Sequence, residues 1–481
     1  MYKKVLCGSL FIALFLLFAI VPSAAQKSKV RPTVWHVYPA MDRLDIQAVV
    51  NNASNGDTVY FHAGTYDWSE APIYPRYANE GAINIIDKTL TIKGEPGNLI
   101  KGPDSPTIDG TMWGIHAFHV LDEDTNNDVT FMGLNIQHFM RGVVAFHNFG
   151  ALPDIPEYTI PNARNVTVIN CAITDIARQG IVVDDATGNI SIEHNTLSQC
   201  AAAGIWVLYS GRDGTYWQPD KSTINVSGNK ITSSSLVGMG IYAGRTKNFR
   251  VENNSIATLS PSIWSFGICV EGAKKGTVFS SNFVSNYRMG IAVGGLSALG
   301  SQPSWEAENV VVDRNKVSCV SPYGCYGIIL DGDLSSGHTV RRNEINLIST
   351  GGIGIYSDGN HSFYGQNKIS GSGWVAVCLS GADYSGGSGL PTYAHHESFL
   401  GNDVSKFIPS EAHYYLDTWT HENKIFGFGK SPWTYKDYGI DNFIIGGTNI
   451  TGTTAQALGV FSEVGKKHLN EFREARKNIL F

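Results

Sequence analysis

Three carboxylates in this 481-residue chain close short apolar stretches led by glycine: Glu271 in GICVE, Asp331 in GIILD and Asp358 in GIYSD. Side chains alternate faces along an extended strand, so the third and fifth residues of each stretch share a face. Read this way, the outward pairs include Val182 with Asp184, Trp206 with Leu208, Tyr242 with Gly244, Cys269 with Glu271, Ile329 with Asp331 and Tyr356 with Asp358. Carboxylates and aromatic rings therefore lie on one side.

Two close carboxylates can share a proton or hold calcium, which takes oxygen ligands. Asp331 and Asp358 are expected on adjacent turns of the chain, ~4.8 Å apart, with Glu271 about 10 Å from Asp331. That larger gap sits near the upper end for an inverting glycosidase pair. Arg245 and Arg288 are expected to flank Glu271 and to attract an acidic polysaccharide. Trp206, Tyr242 and Tyr356 suit stacking on sugar rings, with Asp184 beside them. The bland alternatives are turn chemistry for each aspartate and ordinary packing for each ring.

A repeat must position these residues. Within Asn189 to Val207, Ile190 and Ile192 alternate with polar neighbours, Asn195 marks a bend, Leu197 starts a second apolar step, and GIWV makes a third strand. The pattern apolar-x-apolar-x-x-Asn-x-apolar returns with Asn229, Asn254, Asn282, Asn315, Asn343 and Asn367 in the same slot. Looser copies place Leu134, Cys171, Asn402, Asn423 and Thr448 there. A fixed circuit with insertions of varying length is the mark of a solenoid. Asparagine tolerates a left-handed turn, and its amide can hydrogen-bond to the next copy, so these residues are expected to hold the fold.

Glycine-led strands begin at Gly142, Gly180, Gly204, Gly240, Gly267, Gly290, Gly327 and Gly354. The longest insertions, 147–163, 210–221, 294–307 and 380–396, follow such strands and carry Tyr158, Tyr216, Trp217, Trp305, Tyr384 and Tyr393. Loops rising from one sheet edge make a groove, where function tends to sit.

Lys3 and Lys4, the apolar run from Leu10 to Val21 and the small residues before Gln26 read as a signal peptide, residues 1–25, so the protein is expected to be secreted, periplasmic or extracellular. Its removal takes two lysines and no acids, moving the formal charge from -6 to -8. Nucleic acid is a poor partner for such a charge, and no later stretch is long enough to span a membrane. Cys319 and Cys325 are close enough for a loop disulfide; Cys171, Cys200, Cys269 and Cys378 read as buried thiols. His116, His119, His138, His147 and His395-His396 are scattered and suggest metal only weakly.

Residues 26–57 read as an N-terminal cap whose helix starts at Asp42 and covers the solenoid end with Leu44, Ile46, Ala48 and Val50. Residues 451–481 carry Leu458, Phe461, Val464, Leu469 and Phe472 on one helical face and read as a C-terminal cap.

The succession of a short helix, NGDTVYF, AGTY and LTIKG resembles the start of pectin-lyase-like right-handed parallel β-helices, over roughly 44–450. The chain also resembles NosD-type secreted repeat proteins. The resemblance implies an all-β, right-handed parallel β-helix of about a dozen coils over 58–450, with a helical cap at each end. It also makes uronate-lyase or epimerase chemistry a candidate, in which calcium neutralises the substrate carboxylate and a basic residue takes the proton. The Gly-Asp-Asp, Gly-His-Gly and Arg-Ile-Lys motifs of polygalacturonases are missing, as is the Asp-Pro-His-Asp of mannuronan epimerases. The expected function is a polysaccharide lyase or glycoside hydrolase acting along the glycine-led sheet. Its alternative is a non-catalytic extracellular or envelope protein that binds a glycan or serves as structure.

Overall fold

A computed structural model describes residues 31–71, 81–103, 107–108, 111–112, 115–121, 126–145, 163–184, 186–209, 221–233, 238–259, 265–294, 307–322, 324–331, 335–380, 394–427 and 432–451. The expected signal peptide, the expected C-terminal helical cap and the aromatic residues of the insertions lie outside that set. Over the described residues the chain is a right-handed parallel β-helix.

One coil shows the construction. Ile190–Glu193 lies in the first sheet, Asn195 turns the corner, Thr196–Cys200 lies in the second, and Ala203–Leu208 lies in the third, the glycine-led sheet. Each strand pairs in parallel with its counterpart one coil away: Ile190 with Ile224, Leu197 with Ile231, Ile205 with Ile241. The second and third sheets merge near the C-terminal end, where Lys368–Leu379 and Asp403–Leu416 run through both.

The first sheet has 15 strands, more than the dozen coils expected. The surplus is N-terminal: Val34–Val37, Thr58–Phe61 and Leu90–Gly94 are wound without the asparagine slot that marks later coils. The strand Val34–Val37 precedes the capping helix and pairs with Thr58–Phe61. The helix itself spans Arg43–Asn52, with Asp42 accepting from the Asp45 N–H at 2.8 Å. Ile46 and Val50 are buried as expected, whereas Leu44 is 65% exposed and Ala48 is exposed. The helix therefore covers the end with a narrower stripe than the one expected.

The asparagine slot is a continuous hydrogen-bonded ladder. Asn195 donates through Nδ2 to Asn229 Oδ1 at 3.0 Å, and the same bond repeats from Asn229 to Asn254, Asn282, Asn315, Asn343, Asn367 and Asn402. Each amide also reaches back to a first-sheet carbonyl, as Asn254 does to Val226 at 2.8 Å. Buried polar groups persist where they are satisfied, and here each coil satisfies the next. Asn423 departs from the reading: it stands immediately before the first-sheet strand Lys424–Phe426, at a different corner, and bonds Asn442. Polar residues there mimic the pattern without sharing its place.

The glycines solve a steric problem. A Cβ on Gly290 would lie 2.6 Å from the Gly327 carbonyl oxygen, and a Cβ on Gly204 would lie 2.8 Å from that of Gly240. The chain turns from the second sheet into the third so tightly that only glycine fits. Cys319 and Cys325 form the expected disulfide across this same turn, and the four cysteines expected as thiols are free and buried. No helix among the described residues is long and apolar enough to cross a membrane.

Candidate functional site

The outer face of the third sheet carries three parallel columns of side chains. The middle column runs His119, Val144, Val182, Trp206, Tyr242, Cys269, Ala292, Ile329, Tyr356, Cys378 and Tyr415. Beside it, at the strand ends, run Asp184, Leu208, Gly244, Glu271, Gly294 and Asp331. Leu330 pairs with Ser357, so the next step of that register sets Asp331 opposite Asp358. The expected order of carboxylates is therefore present: Glu271 two coils from Asp331, and Asp358 on the coil after that. The Asp331 side chain lies outside the described residues.

At the strand starts the third column runs His116, Arg141, Gln179, Ala203, Met239, Phe266, Met289 and Tyr326. Its basic end was not anticipated from sequence. Arg141 Nε donates to Gln179 Oε1 at 2.7 Å, and its Nη1 lies 3.4 Å from His116 Nε2. Burial, followed by the charges of Arg141, His119 and Arg178, drives His116 well below the usual histidine range. The available signal was positional: Arg141 directly precedes Gly142, and Arg178 stands two residues before Gly180.

Alternation aims these side chains outward, yet they are not exposed. Trp206 is 4% exposed, Tyr242 1% and Glu271 0%, and Asp184, Asp358, Arg245 and Arg288 are buried too. Val144, Val182, Trp206, Leu208, Met239, Tyr242, Phe266 and Met289 form a second apolar cluster separate from the solenoid interior. Outward direction and exposure are different properties, and in this sheet they part.

The structure brings some candidates together and separates others. Trp206 and Tyr242 are neighbours, with ring centroids 4.1 Å apart. The Tyr242 hydroxyl donates to Glu271 Oε2 at 3.1 Å. Tyr356 is half-buried and stands apart from that pair, because Cys269, Ala292 and Ile329 intervene in the column. Arg245 is next to Glu271 through the backbone, its N–H donating to the Glu271 carbonyl at 2.8 Å. Arg288 does not flank Glu271. It precedes the strand Met289–Gly294, whose far end pairs with Glu271, and six residues of extended chain separate the two levels by roughly 20 Å.

The right-handed beta helix region, as a family, matches residues 78–215 and 208–372. The chain belongs to the right-handed β-helix family. No curated protein matches it. Among solved structures, it is similar to the DFA-IIIase of Arthrobacter chlorophenolicus A6 in complex with DFA-III, at 13% identity and a TM-score of 0.48, over 87% of this chain and 99% of that one. It is also similar to the mannuronan C-5 epimerase AlgE6 A-module of Azotobacter vinelandii, at 15% identity and a TM-score of 0.43, over 86% and 94%. A mannuronic acid specific polysaccharide family 6 lyase from human gut microbiota aligns at 12% identity and a TM-score of 0.41, over 93% and 99%. At these identities the likeness of this β-helix to each concerns the fold.

Proposed function

We propose that this β-helix is a secreted carbohydrate-active protein that handles an extended polysaccharide at the outer face of its third sheet. The observation that carries the reading is the register of carboxylates, Asp184, Glu271, Asp331 and Asp358, beside a column containing Trp206 and Tyr242. Sugars need both kinds of partner: rings for their C–H faces and acids for their hydroxyls or for proton transfer. Glu271 and its donor Tyr242 supply the acid–base pair, with Asp331 as the second carboxylate for hydrolysis. In an elimination, one of the same groups takes the proton beside a uronate carboxylate. Asp331 and Asp358 occupy adjacent positions of the register, and carboxylates are the ligand chemistry calcium takes; calcium bound there would neutralise an acidic sugar. The disulfide supports an oxidising compartment, as expected for a secreted chain.

The experiment is a screen of uronate and neutral polysaccharides, with and without calcium, following absorbance near 235 nm and reducing ends. An absorbance gain identifies a lyase; reducing ends alone identify a hydrolase. In either case Glu271→Gln should lower turnover by about 10²- to 10⁴-fold while the variant still folds, as its far-ultraviolet circular dichroism spectrum checks. The full burial of Glu271 and Tyr242 favours a second reading, in which the face is a structural or glycan-holding seam. Under that reading no substrate turns over, and Glu271→Gln changes only stability or binding.

A further inference from the structure

A cluster of histidines lies at another corner of the solenoid, where the chain enters the first sheet. Parallel bridges join Asn360 to His395 and His395 to His421 on successive coils. The residue after each, His361, His396 and Glu422, takes a left-handed backbone, with φ of 54°, 57° and 55°. Two short ladders result. The rings of His361 and His396 stack at 4.8 Å and 3°, and those of His395 and His421 at 4.9 Å and 6°. One ligating atom from each of His361, His395 and His396 falls within 4.8 Å of the others.

From this arrangement we infer that His361, His395 and His396 bind a divalent transition-metal ion of the zinc class. Imidazole nitrogen suits zinc, copper and nickel, whereas calcium and magnesium demand oxygen. Around zinc, bonds of about 2.0–2.1 Å in tetrahedral array set nitrogens roughly 3.4 Å apart, between the 2.7 Å that separates the Nδ1 atoms of His395 and His396 and the 4.8 Å that bounds the set. The backbone already brings the three side chains to one point, because two are sequence neighbours and the third is one coil away.

The outer contacts assign the ring protons. His396 Nε2 is 2.7 Å from Glu422 Oε2, so the carboxylate holds the proton there and leaves Nδ1 as the ligand. That Nδ1 lies 2.7 Å from His395 Nδ1, and ligation of both nitrogens to one ion requires His395 to carry its proton on Nε2 instead. Asn360 Oδ1 lies 3.2 Å from His361 Nδ1, which directs the lone pair of His361 to Nε2. A carboxylate or carbonyl behind a ligating histidine is what fixes its tautomer and orientation in metal sites. His361 and His396 are exposed and His395 is half-buried, so solvent has access and a position remains for water.

The test is titration of the untagged full chain with zinc chloride by calorimetry, alongside absorption spectra with cobalt. Saturation at one equivalent is expected. Replacing both His361 and His396 with alanine should weaken zinc binding by at least about 100-fold, and Glu422→Gln by about 10- to 100-fold. The replaced rings are surface groups, and a far-ultraviolet circular dichroism spectrum matching wild type certifies the fold. Absence of saturable zinc uptake by the wild-type chain overturns the inference without any variant. Undiminished affinity in the folded double variant overturns it as well.

Discussion

Glu397 shows what one residue imposes on this chain. It occupies the inward position just before the strand Ser398–Leu400, buried at 0% exposure, with Oε2 accepting from the Ser362 N–H at 3.2 Å. His338 stands two coils earlier in the same column, its Nδ1 accepting from the Val310 N–H at 3.3 Å. Burial raises Glu397 to about 8 from 4.5 and lowers His338 to about 4 from 6.5. Between those limits the folded chain keeps a proton on Glu397 that the unfolded chain has released, so this group loses stability as pH rises from about 4.5 to 8. His338 has the opposite sign: the unfolded chain binds a proton that the folded chain refuses, so stability is lost as pH falls from about 6.5 to 4. The two slopes oppose each other between about 4.5 and 6.5, and from 6.5 to 8 the loss belongs to Glu397. Glu397→Gln should therefore stabilise the protein at pH 8 by on the order of a few kcal/mol, with the gain shrinking towards pH 5. Denaturant melts of both proteins at the two pH values measure it, and an equal difference at each would sink the explanation.

At the scale of elements, the strands are held by what happens at their corners. The asparagine ladder satisfies backbone groups where the first sheet turns into the second, and the glycine ladder permits close approach where the second turns into the third. Gly290→Ala should cost about 1–3 kcal/mol or more, because the new methyl meets the Gly327 carbonyl and the Val317 side chain. Gly401 is the control: its φ is +64° and nothing lies within 4 Å of the point a Cβ would occupy, so Gly401→Ala should cost only backbone strain, about 1 kcal/mol. Paired denaturant melts check both, and equal costs would remove the close-approach account. The second sheet presents a different surface, where Val320, Ile348 and Ile408 are exposed around a cleft of about 510 Å³.

For the molecule as a whole, the third sheet is long because coils stack, and a glycan lying along it would meet a new set of outer side chains every ~4.8 Å. Affinity for oligosaccharides of the active polymer should then rise with length until the face is covered, which calorimetry on a size series measures. A flat dependence beyond a disaccharide would place binding in a single coil. Much of this architecture is legible in the chain. Alternating apolar residues, slot asparagines and leading glycines repeat because every coil meets the same sterics, so local patterns report a global fold. The register of Glu271, Asp331 and Asp358 follows from the same periodicity. Burial of the outward face does not follow, because alternation specifies direction and says nothing about what packs beyond it. The place of Arg288 was legible too: it stands two residues before Gly290, at the start of its strand, whereas Glu271 closes its own. The histidine cluster illustrates the limit: His361 and His395 are 34 positions apart in sequence, and only the length of the intervening coil decides that their rings meet. Local sequence thus determined the winding and its corners, while tertiary stacking decided which side chains share a site and which of them reach water.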